Sequence, residues 1–410
     1  MTAGALGGCP YQSADSARPD PCADYIPLRS GDPVVKDEIL GVWMVTGYEE
    51  TARLLRSSAL SSAWPAAGRT VLHEHMSGDG GSPRTSDTVR RWFMFDDGPE
   101  HVRLRRLVSP LFTAERVERT RPYVRATVET LLEEARTASG GRETLDVMTG
   151  LAVPLSSRVI CHLLGLGEEM APRLPGWAHD IAALLLADYR PQVTGCGDAA
   201  LAEVAEVVEA AAARSDLPDD CGIALLRRAL RAGEIEPADV VATASLLMYA
   251  GFETTSTFIG KAVRAVLHTG TWQTVIAEGA GAAVEELLRF DTSVQQVARI
   301  AVRPVDVAGR RIEAGDLVLL LLGVAHRDTR SFPSPDHLLP GRHIGRHLAF
   351  GLGRHYCLGA GLARLQARVV LEELAARWGR LEPAAPAVVR SHNGVTVLES
   401  LAVRGSDETR

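Results

Sequence analysis

One segment constrains this chain more than any other: a helix-length run through residues 240–265 whose first half, Val240–Phe252, holds no charged side chain. A helix that is apolar on every face is stable only when it is buried on every face. Pro237 stands where its first turn would begin, which suits a fixed φ and a missing N–H. Both Val240–Phe252 and the later run Leu317–Ala325 are shorter than the roughly 20 residues a membrane span requires, so the reading is an interior helix. Such a helix needs a thick shell. A chain of 410 residues, 46% apolar and 23% charged, can build one and still enclose a ligand.

The charge balance narrows the function classes. With 44 Lys and Arg against 51 Asp and Glu, the net charge is −7, not the basic excess of a protein that lives on a nucleic-acid backbone. The six cysteines, Cys9, Cys22, Cys161, Cys196, Cys221 and Cys357, are scattered without a CxxC. That usage suits a reducing compartment with no structural disulfides. The N-terminus MTAGALGGCPYQ has neither a basic stretch nor an apolar core of a signal peptide. The expectation is a soluble, cytoplasmic protein with no nucleic-acid or membrane partner.

Along the chain, residues 1–20 read as a flexible lead-in, 21–403 as one domain and 404–410 as a polar tail. A strand is expected at 42–46 and a short helix at Tyr48–Ser57. Residues 60–88, rich in Ser, Gly and Pro, read as a long irregular segment of the kind that covers binding sites. From 99 to about 235 the pattern is helical: Pro99–Val108, Val117–Ala135, Leu151–Leu164, Trp177–Leu186, Leu201–Ala213 and Gly222–Ala232. Within Val117–Ala135, the residues Val117, Val124, Val128, Leu131 and Leu132 recur at helical spacing on one face. Thr271–Phe290 reads as a single helix. Residues 297–325 change to short β-branched runs with tight turns, 328–347 to an irregular meander, Leu358–Trp378 to a last long helix and 386–403 to terminal strands. The fold class is mainly α with a small β-rich part.

Four stretches carry chemistry. In Phe350-Gly351-Leu352-Gly353-Arg354-His355-Tyr356-Cys357-Leu358-Gly359, two glycines permit unusual dihedrals and a close backbone approach. Cys357 follows at a helix start, where backbone N–H groups and the helix dipole lower a thiol's pKa. A lone cysteine is ordinarily a buried small hydrophobe; Phe350, His355 and the glycines around this one set it apart. In Ala250-Gly251-Phe252-Glu253-Thr254-Thr255, a glycine and paired polar residues interrupt a buried helix at a cost in stability. The glycine would let a ligand come close, and a threonine hydroxyl there either returns to its own i−4 carbonyl or faces that ligand. Glu286 and Arg289 lie three apart on one helical face, a pairing that is common and weak at surfaces. His101 and Arg105 lie one turn apart in a basic stretch, which by itself reads as a solvated face.

Taken together, these stretches resemble the cytochromes P450 of the soluble bacterial type, over roughly residues 20–403. The family's signature Phe-Gly-x-Gly-x-His/Arg-x-Cys-x-Gly is met at every fixed position by residues 350–359. The resemblance implies a triangular, mainly helical fold around haem (heme b, iron protoporphyrin IX), with Cys357 as the metal ligand, a ligation known from this family. It further implies that Phe350 packs against and tunes the thiolate, with Gly351 and Gly359 shaping the loop. His101, Arg105, Arg299 and His355 would meet the propionates, a role for which the arginine fork is suited. Ala250 and Gly251 would cross the distal face of the cofactor, Thr254 would hold dioxygen and its waters, and Glu253 would relay protons. Glu286, Arg289 and Arg342 would form a structural knot. Three positions depart from the common pattern: Phe252, where relatives often have His; Ser293, where they usually have Pro; and Gly361, where many have Pro.

The activity implied is monooxygenation, hydroxylating or epoxidising a medium-to-large, partly polar molecule such as a polyketide, macrolide or peptide, either free or tethered to a carrier protein. Residues 60–90, 170–190, 246–254, 294–298 and the turn near Asn393–Val395 would line its pocket, with Leu247, Val294 and Val297 as apolar contacts. Electrons would come from a ferredoxin and a ferredoxin reductase to a monomer. The docking patch would be basic, formed by Arg103, Arg106, Arg354, Arg364 and Arg368. Oxidative coupling without oxygen insertion is an alternative within the family, and a non-catalytic haem carrier one outside it. A metallohydrolase using His343 and His347 lacks an HExxH motif.

Overall fold

The structure, a computed structural model, describes residues 31–38, 41–63, 83–185, 191–343, 345–392 and 395–407. The expectations for residues 1–20, for most of 60–88 and for the turn at Asn393 fall outside them. The helices are α1 (Tyr48–Leu55), α2 (Pro83–Arg90), α3 (Pro99–Val108), α4 (Ala114–Ala138), α5 (Val153–Leu164), α6 (Leu174–Leu185), α7 (Pro191–Ala213), α8 (Gly222–Arg231), α9 (Pro237–Thr269), α10 (Trp272–Glu278), α11 (Ala280–Phe290), the single turn α12 (Leu322–Ala325) and α13 (Ala360–Arg377). The strands are β1 (Val34–Asp37), β2 (Val42–Val45), β3 (Leu60–Ser61), β4 (Thr144–Asp146), β5 (Val297–Ala301), β6 (Val305–Val307), β7 (Arg310–Ile312), β8 (Leu317–Leu320), β9 (Arg380–Pro383), β10 (Val388–His392), β11 (Val395–Ser400) and β12 (Ala402–Ser406).

The uncharged run lies in α9, which spans 33 residues. Its start is fixed by Pro237 and by a reciprocal cap between Glu236 and Asp239, and its end by Gly270 at φ +63°. Val240 through Met248 are buried without a gap, because α5, α6, α7, α8 and α13 pack around the helix. Asp239, itself buried, also accepts from Arg91 (3.0 Å) and Arg103 (3.4 Å), which ties this end of α9 to α2 and α3. Among the described residues no helix is long and apolar enough to cross a membrane.

The β-rich part is a five-stranded sheet in the order β1-β2-β8-β5-β3, with β2 and β8 parallel. Side chains two apart on a strand share a face. The register that sets Val297 opposite Leu320 and Arg299 opposite Val318 therefore turns both Val297 and Arg299 toward the helical part.

Several expectations change. Thr271–Phe290 is two helices, broken at Gly279, whose φ of +84° ends the first. Residues 83–88, expected to be irregular, lie in α2, and α7 begins at Pro191 rather than near residue 201. The terminal strand continues past residue 403 to Ser406, with Arg404 opposite Thr144 and Glu382, so the tail expected from residue 404 is partly sheet. Strands β1, β4 and β9 are too short to show a period in sequence. The α4 face was read correctly: all five named residues are buried.

Glu286 and Arg289 are not a weak surface pair. Both are 0% exposed and meet through two bonds of 2.8 Å. Arg342 adds a bond of 3.0 Å to Glu286, and Arg289 donates to the carbonyls of His326 and Pro335 at 3.0 and 2.9 Å. The knot thus pins the meander to α11. Removing one partner of a buried pair strands the other, at about 3–5 kcal/mol. Arg289→Ala should therefore lower folded yield and the denaturant midpoint steeply. Arg289→Lys should recover little of the loss, because an ammonium lacks the planar fork; chemical unfolding of the variants checks both.

Candidate active site

Helix α9, helix α3, strand β5 and the loop 348–359 converge on one cavity of about 350 Å³, within the size range of cofactor and small-molecule sites. The loop is shaped by its glycines. Gly351 and Gly353 have φ of +66° and +74°, and a Cβ on Gly353 would lie 2.9 Å from the Leu55 carbonyl. The Cys357 N–H donates to the Phe350 carbonyl at 2.9 Å, closing the loop just ahead of α13.

Two histidines supply what secondary structure does not. The Leu348 N–H donates to His326 Nε2 at 2.8 Å, and the Ala349 N–H donates to His347 Nδ1 at 3.2 Å. His326 therefore accepts at Nε2, with its proton on the opposite nitrogen. Burial, reinforced by Arg289 and Arg327, holds His326 well below the ordinary histidine range. His347 uses its second nitrogen on Glu285 at 3.1 Å, so it is committed to the loop and not to a metal site with His343.

Cys357 corrects one expectation. Burial is the largest effect and raises its thiol pKa, against the Gly359 N–H and the cations Arg105 and Arg364, which lower it. The helix start alone does not make a free thiolate; a metal that replaces the proton would.

At the cavity rim, the start of α3 sets His101 and Arg105 one turn apart. Asp96 accepts the N–H groups of Gly98 (3.0 Å) and His101 (2.8 Å), satisfying donors of the first turn. Arg105 donates to the Tyr356 carbonyl at 2.5 Å and Arg299 to the Ala298 carbonyl at 2.7 Å. Neither has an ion-pair partner among the described residues, and burial pushes both guanidinium pKa values down. Two half-buried cations without an ion-pair partner among the described residues face the same space as a thiol. That donor set fits a flat group bearing a central metal and two carboxylates.

His355 reaches the rim already partnered. Its Nε2 lies 2.7 Å from Asp97 Oδ1 and 3.0 Å from Ser62 Oγ. Burial would raise Asp97, but hydrogen bonds from His355 and Ser61 outweigh it and hold the carboxyl well below the usual range. Asp97 was missed in the sequence. The available signal was a second aspartate before a helix start that needs only one to cap it.

On the α9 wall, Thr254 lines the cavity while its Oγ1 bonds the Ala250 carbonyl at 2.9 Å. Glu253 is half-buried, its carboxyl has no hydrogen-bond or ion-pair partner among the described residues, and it is pushed up to about 7 by burial. Phe252 is buried in protein, away from the cavity. Gly251 borders the cavity, but its missing Cβ points elsewhere: it would lie 2.4 Å from Ile160 Cδ1 on α5. The glycine therefore serves helix packing as well as ligand approach.

The described apolar lining includes Phe93, Met94, Leu246, Leu247, Val294 and Val297. The polar share expected from 60–90 lies mostly outside the described residues. The expected basic patch is largely neutralised. Arg103 pairs with Glu100 and Asp239, Arg106 with Glu234, Arg364 with Glu285 and Arg368 with Glu372, while Arg354 donates to the Asp97 carbonyl. Arg346 is exposed, with its guanidinium over the Tyr356 ring at 5.5 Å and no ion pair among the described residues.

Comparisons with known proteins agree with this geometry. The family profile "Cytochrome P450" matches residues 280–378. The chain is 31% identical to the biotin biosynthesis cytochrome P450 of Bacillus subtilis (strain 168), over 87% of this chain and 89% of that one. It is 31% identical to the 6-deoxyerythronolide B hydroxylase of Saccharopolyspora erythraea, over 97% of both chains. The crystal structure of CalO2 superposes with a TM-score of 0.88 at 29% identity, covering 98% of this chain and 99% of that one.

Two outcomes test the site. Gly251→Ala should destabilise the α9–α5 contact, and Ile160→Val, which removes the methyl that would collide, should restore most of the loss in a double-mutant cycle. Below about pH 6.5 the unfolded chain takes up a proton that folded His326 refuses, so stability should fall as pH drops through that range. His326→Gln keeps an acceptor for Leu348 and should flatten this limb of the stability–pH curve.

Proposed function

This chain belongs to the cytochrome P450 family and is a haem-thiolate monooxygenase with haem b as cofactor, and on that premise we propose that it oxidises a neutral, largely apolar small molecule in natural-product biosynthesis. The observation that carries the site assignment is that Cys357 and Thr254 line one cavity whose rim bears two half-buried arginines with no ion pair among the described residues.

In this reading Cys357 ligates the iron, with Phe350, Gly351 and Gly359 holding the thiolate's loop. Arg105 and Arg299 take the propionates, with His101 beside them and His355 oriented by Asp97. When bound, the haem supplies dioxygen activation and transfer of one oxygen atom to a C–H or C=C bond. The chain does the rest. Ala250 and Gly251 let the α9 backbone approach the cofactor face. The Thr254 hydroxyl donates its proton to the Ala250 carbonyl and so turns an acceptor lone pair into the cavity. Glu253, titrating near neutrality, takes a proton from solvent and passes it on. The apolar wall of Phe93, Leu247 and Val294 holds the substrate and excludes water. Relatives that act in biotin biosynthesis and on 6-deoxyerythronolide B support a biosynthetic role.

Electrons would come from a ferredoxin and its reductase. With the other arginines paired, Arg346 beside Tyr356 is the cation best placed to meet an acidic carrier. Arg346→Glu should raise KM for a ferredoxin and leave kcat nearly unchanged; an unchanged KM contradicts this docking site.

Thr254→Ala should lower product formed per electron by about tenfold or more and raise hydrogen peroxide release correspondingly, within the range of positioned proton donors. Full coupling in that variant contradicts its assigned role.

A further inference from the structure

The proposed reaction leaves one partly buried cation on the thiolate side of the cavity without a role. Arg364 lies on α13, and its guanidinium sits 4.4 Å above the Phe350 ring. That is the distance of a cation–π contact. The Phe350 carbonyl in turn accepts the Cys357 N–H. Glu285 on α11 holds the guanidinium by two bonds, 2.6 Å from Nε and 3.0 Å from Nη2, and Tyr356 Oη lies 3.4 Å from Nη1. His347 donates its remaining N–H to the same carboxylate. Glu285 and Arg364 form an ion pair of opposite charges. Hydrogen bonds from His347 and Arg364, set against burial, hold Glu285 down to about 2.

We propose that Glu285 and Arg364 are positioning residues that set the reduction potential of the Cys357-ligated centre, Arg364 by presenting its charge across Phe350 and Glu285 by holding the guanidinium flat and offsetting that charge. The proposal rests on the reading of Cys357 as the iron ligand. It removes Arg364 from the docking patch and gives it an electrostatic task.

The physical basis is the sign of each charge. A cation near a centre that gains an electron favours the reduced form, and a carboxylate opposes it. Half-buried groups are screened less by salt than surface groups. A pair that only braced α11 against α13 would change stability when broken, with no reason to move a potential in opposite directions for its two members.

The test is the ferric/ferrous midpoint potential of the haem-loaded protein, measured by spectroelectrochemistry for wild type, Glu285→Gln, Arg364→Met and the double variant. Glu285→Gln leaves the cation unopposed and should raise the potential. Arg364→Met should lower it, and the double variant should fall between the two. An effect of tenfold in the reduction equilibrium corresponds to about 59 mV for one electron. Arg364→Lys keeps the charge without the planar fork and should recover part of the Arg364→Met shift. Should Arg364→Met fail to fold, Glu285→Gln and Arg364→Lys carry the same test of sign. Potentials that stay at the wild-type value, or move in one direction for both residues, overturn the proposal. Absence of thiolate-ligated haem in the wild-type protein is a different result: it overturns the reading of Cys357 instead.

Discussion

Helix α9 has to be covered on every side, and that requirement organises the molecule. A helix with no charge from Val240 to Phe252 leaves no face for water, so other helices pack around it. Its middle turns then stand at the centre of the protein. Along them Thr243 and Ser245 are buried in the packing, while Ala250, Gly251 and Thr254 border the cavity. The same helix that closes the core therefore forms one wall of the site, and Gly251 shows both duties in one residue.

The opposite wall is held without regular secondary structure. Residues 348–357 carry buried N–H groups that neither a helix nor a sheet satisfies. His326 and His347 accept two of them, and Phe350 accepts a third from Cys357. The meander that delivers His326 and His347 is pinned by the Glu286–Arg289–Arg342 knot. A chain of contacts thus leads from a buried ion pair on α11, through two histidines, to the position of one sulfur atom. Buried ionic groups are weak evidence for stability as such; here they fix where a loop lies.

What could be read from the sequence follows from the range of the interactions. Long helices with a repeating face, such as α4, were legible because burial repeats every turn. Cys357 and Thr254 were legible because they sit in local motifs, and His101, Arg105 and Arg299 through the family resemblance; the structure brings all five to one cavity. Asp97 was not, because its partners Ser61, Ser62 and His355 are 36, 35 and 258 residues away. The pairing of each expected patch arginine was equally hidden, since a basic stretch looks the same in sequence whether or not carboxylates from other helices meet it. The break at Gly279 was missed because a single glycine inside an apolar pattern does not announce a positive φ.

The account stands or falls on Cys357 as the ligand of an iron porphyrin. The most direct measurement is the absorbance spectrum of the haem-loaded protein after reduction under carbon monoxide. Thiolate ligation predicts a Soret band near about 450 nm that Cys357→Ser abolishes while the fold persists. A band that survives Cys357→Ser, or no haem band in protein produced with ample haem, would contradict it.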